Sequence, residues 1–241
     1  MTILVVGATG ATGKHVTEHL LNRGHQVKVV VRSIAKFAES MRRRENLTIV
    51  HASILDLSDV ELEHLVSDCK AVASCLGHTL SFKGLYGSPR RLVTEATRRL
   101  CSAIKANNLK HPVKYVLMNT TGNQNRDLNE PISFGQKCVI GLLRLLLPPH
   151  VDNEKAADFL RTEISQKDEA IEWSIVRPDN LTDEEDVSAY EIHPSPTRSA
   201  IFDAGQTSRI NVGHFMAELI EDEQLWTLWK GQMPVIYNKS S

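Results

Sequence analysis

Three glycines are spaced three residues apart in Gly7-Ala8-Thr9-Gly10-Ala11-Thr12-Gly13, directly behind the apolar run Thr2–Val6 and ahead of a helical stretch. A turn of this kind suits one chemistry, the holding of phosphate. Gly7 permits a tight exit from a strand, Gly10 lets the backbone approach a pyrophosphate, and Gly13 lets the helix pack closely on the sheet. Free N–H groups and the positive helix end then attract the anion. A plain structural turn would not need three glycines at this spacing, so a nucleotide is expected here. The second apolar run, Gln26–Val31, ends in Arg32, with Lys36 one helical turn later. A site choosing NAD carries a carboxylate at that place, for the ribose hydroxyls. Two cations favour a 2′-phosphate instead, and NADP(H) is the expected cofactor. One charge-assisted contact of this kind contributes about 1.5–3 kcal/mol, roughly ten- to hundredfold in affinity.

Candidates for proton transfer are sparser. Thr120 and Thr121 follow a fifth apolar run and could hydrogen-bond a carboxamide or a substrate oxygen, or simply cap the strand end. His150, read as a loop residue after Pro148-Pro149, has the pKa range of a proton donor. Cys75 reads as a small core residue rather than a redox thiol, and His214 as a cap for a following helix.

These residues need a scaffold, and the sequence supplies one. Strands are expected at Thr2–Val6, Gln26–Val31, Leu47–His51, 71–76, Val113–Met118, 172–177 and 234–237, with helical patterns at 14–22, 35–44, 59–67, 89–106, 139–147 and 152–165. Strand–helix alternation of this kind predicts a doubly wound parallel α/β sheet, a Rossmann fold, with a small C-terminal substrate lobe built from insertions. One domain over 1–241 is expected, with substrate-side insertions at about 123–165 and 179–208. The 179–208 stretch is long, polar and poorly periodic, as lids and binding loops are. The run 139–147 is apolar nearly all round, so it should be buried in the core, roof an acceptor pocket, or lie against a partner subunit or a membrane surface.

Composition narrows the class. The 28 basic and 29 acidic residues balance to a net charge of −1, which argues against a nucleic-acid binder. The basic triplet Arg42-Arg43-Arg44 reads as a solvated helix face. Four scattered cysteines without C-x-x-C pairs, and no signal peptide, suggest reduced thiols in the cytoplasm and no structural zinc. No apolar stretch is long enough to span a bilayer.

Gly7 to Gly13, Arg32 with Lys36, Asp56-Leu57, Leu76-Gly77, Arg177-Pro178 with Leu181, and Gly213-His214-Phe215-Met216 together resemble the atypical branch of the short-chain dehydrogenase/reductase superfamily. Within it they are similar to the NmrA-like and flavin/biliverdin-IXβ-reductase-like group of NAD(P)H-binding proteins. The resemblance implies that Thr9, Gly10, Ala11, Thr12 and Gly13 hold the pyrophosphate and that Asp56 and Leu57 flank the adenine. It further implies that Leu76, Gly77 and His78 line the nicotinamide ribose, with Pro178, Asp179 and Asn180 near the nicotinamide. Asn153 stands where related reductases place a polar residue facing the site.

One expected feature is missing. Typical superfamily members use a Ser after the fifth strand and a Tyr-x-x-x-Lys whose phenol moves a proton. Here Lys137 is present but the Tyr position is Ser133, Tyr115 lies inside a strand, and Tyr86 is followed by Arg90. An NADPH-dependent reductase passing hydride to a flat or carbonyl-bearing acceptor (a flavin, quinone or tetrapyrrole) fits this pattern, because such acceptors can take their proton from water. The alternative is a non-catalytic NADP(H) redox sensor of the NmrA-like type. A sugar-nucleotide epimerase or dehydratase is disfavoured, since it too generally needs the Tyr. A homodimer or a protein partner would be met through 139–147 or 179–208.

Overall fold

The computed structural model describes residues 1–37, 39–78, 87 and 89–239, with the Lys36 side chain excepted. Seven strands run in parallel: β1 (Thr2–Val6), β2 (Gln26–Val31), β3 (Leu47–His51), β4 (Cys69–Ser74), β5 (Val113–Met118), β6 (Ile171–Pro178) and β10 (Val235–Asn238). An eighth, β8 (Tyr190–His193), joins the edge antiparallel to β10. Their order is β3-β2-β1-β4-β5-β6-β10-β8. The strand order reverses between β1 and β4, and a ligand crevice is expected outside the carboxyl ends of the strands there.

Alternation along β1 builds two cores at once. Leu4 and Val6 join the layer containing Leu100, Tyr115 and Trp173, while Ile3 and Val5 join the layer containing Leu20, Phe215 and Trp226. Strands buried on both faces read as continuous apolar runs, which is why they were legible. The helices are α1 (Gly13–Asn22), α2 (Glu39–Arg42), α3 (Asp59–Val66), α4 (Leu92–Ala106), α5 (Phe134–Leu146), α6 (Pro148–Asp158), α7 (Arg209–Glu221) and α8 (Glu223–Trp229). Helix α3 opens with a capping box between Ser58 and Glu61.

Four expectations change. The helix expected at 35–44 is reduced to a 3₁₀ turn at Ile34–Lys36 and the single turn α2. Pro148-Pro149 opens α6 rather than forming a loop, because a proline at the first helical positions forgoes only an N–H with no partner there. The helix expected at 152–165 therefore starts earlier, and it ends in π-helical turns at Phe159–Ile164. Segment 179–208 is not bare loop: β7 (Asn180–Thr182) pairs in parallel with β9 (Gln206–Ser208), and β8 lies between them in the chain. Strands of three or four residues are too short to leave a periodic signature.

Helix α5 also departs from the core-helix expectation. It rests on the fold through Gln136 and Ile140, one turn apart on a narrow stripe. Phe134, Leu142 and Leu145 are left 83%, 54% and 80% exposed. Among the described residues no helix is long and apolar enough to cross a membrane.

Candidate nucleotide-binding site

A cleft of about 550 Å³ opens beyond the carboxyl ends of β1, β2, β4 and β5. Its floor is the glycine turn. Gly7 adopts φ +79°, and Gly10 N–H returns to the Gly7 carbonyl at 2.9 Å. A Cβ on Gly7 would strike the Cys75 carbonyl, and one on Gly13 would strike the carbonyl of Gly7. Gly7, Thr9, Gly10, Ala11 and Thr12 line the cleft, whereas Gly13 lies behind them as the first residue of α1. Among the leading N–H groups of α1, those of Lys14 and His15 already donate to the Gly10 and Thr12 carbonyls at 3.1 and 3.0 Å, so what an anion would meet is the positive end of the helix dipole and the loop ahead of it.

Arg32, exposed at the end of β2, forms the next part of the wall. The Lys36 side chain lies outside the described residues, as does Tyr86. After β3 the wall is made by Ala52, Ser53 and Ile54. Asp56 and Leu57 lie just past it: Asp56 is exposed, and the Leu57 carbonyl accepts from Arg99 at 2.5 Å.

Leu76, Gly77 and His78 continue the wall beyond β4. His78 Nε2 lies 2.8 Å from Asp152 Oδ2 with both side chains buried. The same carboxylate accepts the Val93 and Thr94 N–H groups at 2.8 and 3.0 Å, closing the amino end of α4. Burial works to raise the Asp152 carboxyl, but hydrogen bonds from His78 and Thr94 outweigh it and hold it below the usual carboxylate range. Beyond β5, Met118 and Asn119 line the cleft, facing Pro149 and Asn153 of α6. The Asn119 side chain donates to the Asn153 carbonyl at 2.9 Å, tying β5 to α6.

The remaining candidates stand apart from this wall. Thr120 Oγ1 accepts the Gly122 N–H at 3.2 Å. Thr121 donates to Asp179 Oδ1 at 3.0 Å, and Gly205 N–H donates to Oδ2 at 2.9 Å. Burial raises the Asp179 carboxyl above its ordinary value despite those bonds. Pro178 ends β6, Asn180 is exposed on β7, and it is the neighbouring Leu181 that reaches the cleft. His150 sits in the first turn of α6 rather than in a loop, its Nε2 3.5 Å from Glu154 Oε1. Arg144 grips the same carboxylate at 2.8–3.1 Å. Burial would raise Glu154, but hydrogen bonds and electrostatic attraction from His150 and Arg144 prevail and hold it at about 2.

No tyrosine is among the described residues of the wall. Tyr115 is buried in β5, donating to Thr97 Oγ1 at 3.3 Å. Ser133 caps α5 by accepting the Gln136 N–H at 3.1 Å. Cys75 borders the cleft with its thiol pushed up to about 12 by burial, too high for a thiolate. His214 does not cap a helix: it lies inside α7, which Ser208 caps, and its Nδ1 is 2.8 Å from the Tyr190 hydroxyl.

Arg209 on the wall escaped sequence reasoning. A signal existed, for a cation in the first turn of a helix opposes the helix dipole and needs an anion nearby to hold it there.

The family model described as NAD(P)H-binding matches residues 7–223. The chain belongs to this family. As a member, it is an NAD(P)H-binding protein. An uncharacterized chloroplastic protein of Arabidopsis thaliana is 38% identical over 80 residues, which span 33% of this chain and 29% of the plant protein. Among solved structures, a short-chain dehydrogenase/reductase of Veillonella parvula in complex with NADP aligns over 99% of this chain and 95% of its own, at 16% identity and TM-score 0.70. A Bacillus halodurans protein described as an NAD-dependent epimerase/dehydratase aligns over 100% and 95%, at 20% identity and TM-score 0.72. A Streptococcus pneumoniae protein described as an NADH-flavin reductase aligns over 99% and 100%, at 18% identity and TM-score 0.65. At these identities the solved structures speak for the fold.

Proposed function

We propose that the protein is an NADPH-dependent reductase acting on a flat or carbonyl-bearing organic acceptor such as a flavin, a quinone or a tetrapyrrole. The observation that carries this reading is the charge of the cleft: its described wall holds Arg32 and Arg209 and no carboxylate. Thr9 to Gly13 would cradle the pyrophosphate, and Arg32 would take the 2′-phosphate. Ser53 and Ile54, which line the cleft where Asp56 and Leu57 do not, would flank the adenine. When bound, NADPH supplies the hydride. The chain's own part is to orient and to exclude water, through Leu76, Gly77 and Met118 and the amides of Asn119 and Asn153. Thr121 and Asp179 satisfy each other and would shape the site from behind, as would Thr120 and His150.

No tyrosine–lysine dyad is assigned a role, which favours an acceptor that needs no proton from the protein. The test follows NADPH absorbance with a panel of flavins, quinones, tetrapyrroles and aldehydes. Turnover with a flat acceptor is expected, whereas tight binding without turnover across the panel would favour an NADP(H) sensor. In parallel, Arg32→Ala is expected to weaken NADPH binding about tenfold or more and to leave NADH nearly unchanged. Equal losses for both cofactors would count against NADP selectivity. The exposed apolar side chains of α5 support a protein partner, and sedimentation of the purified chain would tell a homodimer from a monomer that meets another protein.

A further inference from the structure

Arg209 is a cation on the cleft wall that neither the glycine turn nor the selectivity of Arg32 accounts for. We infer that its guanidinium binds the pyrophosphate of the dinucleotide, and that Asp183 is the counter-charge it gives up to do so. This rests on the dinucleotide reading of the cleft.

Placement comes from helix packing. Gly213 lies four residues after Arg209, on the same face of α7. It meets α1 so closely that a Cβ there would lie 2.7 Å from His15 Cβ and 3.0 Å from Val16 N. That contact holds the start of α7 against the first turn of α1, the turn that issues from the glycine loop. Arg209, one turn before Gly213, therefore shares the cleft wall with Thr9, Gly10 and Thr12. His15 senses the same neighbourhood. Burial and then Lys14 lower its pKa, Glu18 and Asp183 work to raise it, and Arg209 adds a further lowering.

The present partner of Arg209 is a poor competitor. Its Nη1 lies 3.0 Å from Asp183 Oδ1, but the Asp183 side chain is 77% exposed and that of Arg209 23%. An ion pair with one member in solvent holds weakly. A pyrophosphate offers more charge and paired acceptor oxygens matched to the guanidinium fork. Arg32 would read the 2′-phosphate that distinguishes the two dinucleotides. Arg209 would instead contact the part they share, so its removal should cost both alike.

The experiment titrates the full chain and two variants with NADPH and with NADH, read by nicotinamide fluorescence. Arg209→Ala is expected to weaken both dinucleotides about tenfold. Asp183→Asn, by freeing the guanidinium, is expected to tighten both about threefold. The opposite signs are decisive, because a merely structural ion pair would lose binding in both variants. Losses in both, or unchanged affinity for Asp183→Asn, would overturn the inference. Asp183 lies at the surface, so its variant still tests the inference even if Arg209→Ala folds poorly. Wild-type chain that binds neither dinucleotide would overturn the dinucleotide reading itself. Wild-type binding with both variants unchanged would remove only the role of Arg209.

Discussion

The guanidinium of Arg177 has no exposure to solvent, and its hydrogen bonds gather four separate stretches of chain. It donates to both Glu130 oxygens at 2.9 and 2.6 Å, and to the carbonyls of Asn123, Met233 and Pro194 at 3.0, 2.7 and 3.3 Å. Glu130 also accepts the Asn125 N–H at 2.7 Å. The pair latches the loop after β5 to β6 and to the 179–208 insertion, away from the cleft wall. Glu130→Ala leaves a buried, unpaired cation, and about 3–5 kcal/mol of stability should be lost in a urea or thermal melt. A cost within experimental error would mean that water replaces the carboxylate. Arg177-Pro178 is visible in the sequence as the end of a strand. Its partner is not, since nothing local links Glu130 to a residue 47 positions away. The residues that line the cleft through backbone shape, Gly7 and Thr9 to Thr12, were legible because a strand, three glycines and a helix are contiguous. Arg209 and Asn119 were not, because only packing brings them to the same crevice.

At the level of elements, α1 and α7 face each other across a histidine-rich seam. His19 and His214 stack edge to face with centroids 5.3 Å apart. Arg23 links to Glu218 and Glu221 at 3.2 Å. His25 Nε2 lies 3.7 Å from Glu221. Burial, and then the neighbouring His214, Arg23 and His15, lower His19 from 6.5 to about 4, against a small opposing effect of the Ile210 backbone. The folded state therefore keeps this imidazole neutral, whereas the unfolded chain protonates it below about 6.5. Stability from this group is full above pH 6.5 and falls as the pH drops toward 4, where the loss levels off. Melting temperatures measured across that window should decline, and His19→Gln should flatten the decline. An unchanged slope would assign the acid sensitivity elsewhere. The seam also explains a boundary error in sequence reading. His214 looks like a cap beside Gly213, but that glycine is present for the close approach to α1, and the helix runs on through both.

Across the whole molecule, the cleft touches both halves of the sheet: β1 and β2 on one side of the switch point, β4, β5 and α6 on the other. A ligand lying along it would bridge them and stabilise the native state by mass action. At a concentration a hundred times its dissociation constant, NADPH should contribute about 2.7 kcal/mol, raising the melting temperature in a thermal-shift assay. A melt indifferent to NADPH would mean that the folded chain does not bind it at that concentration. The central strands and their alternation with helices, the glycine turn and the basic end of β2 were fixed by sequence, because each is a local pattern: an apolar run, a turn residue or a charge within a few positions. What the walls opposite that turn consist of was decided only by tertiary structure. Asp152 on His78, Asn119 on Asn153, Thr121 on Asp179 and Arg209 beside Thr12 are juxtapositions of distant segments, and they arise when the sheet twists and the helices pack on it, a step no local pattern encodes.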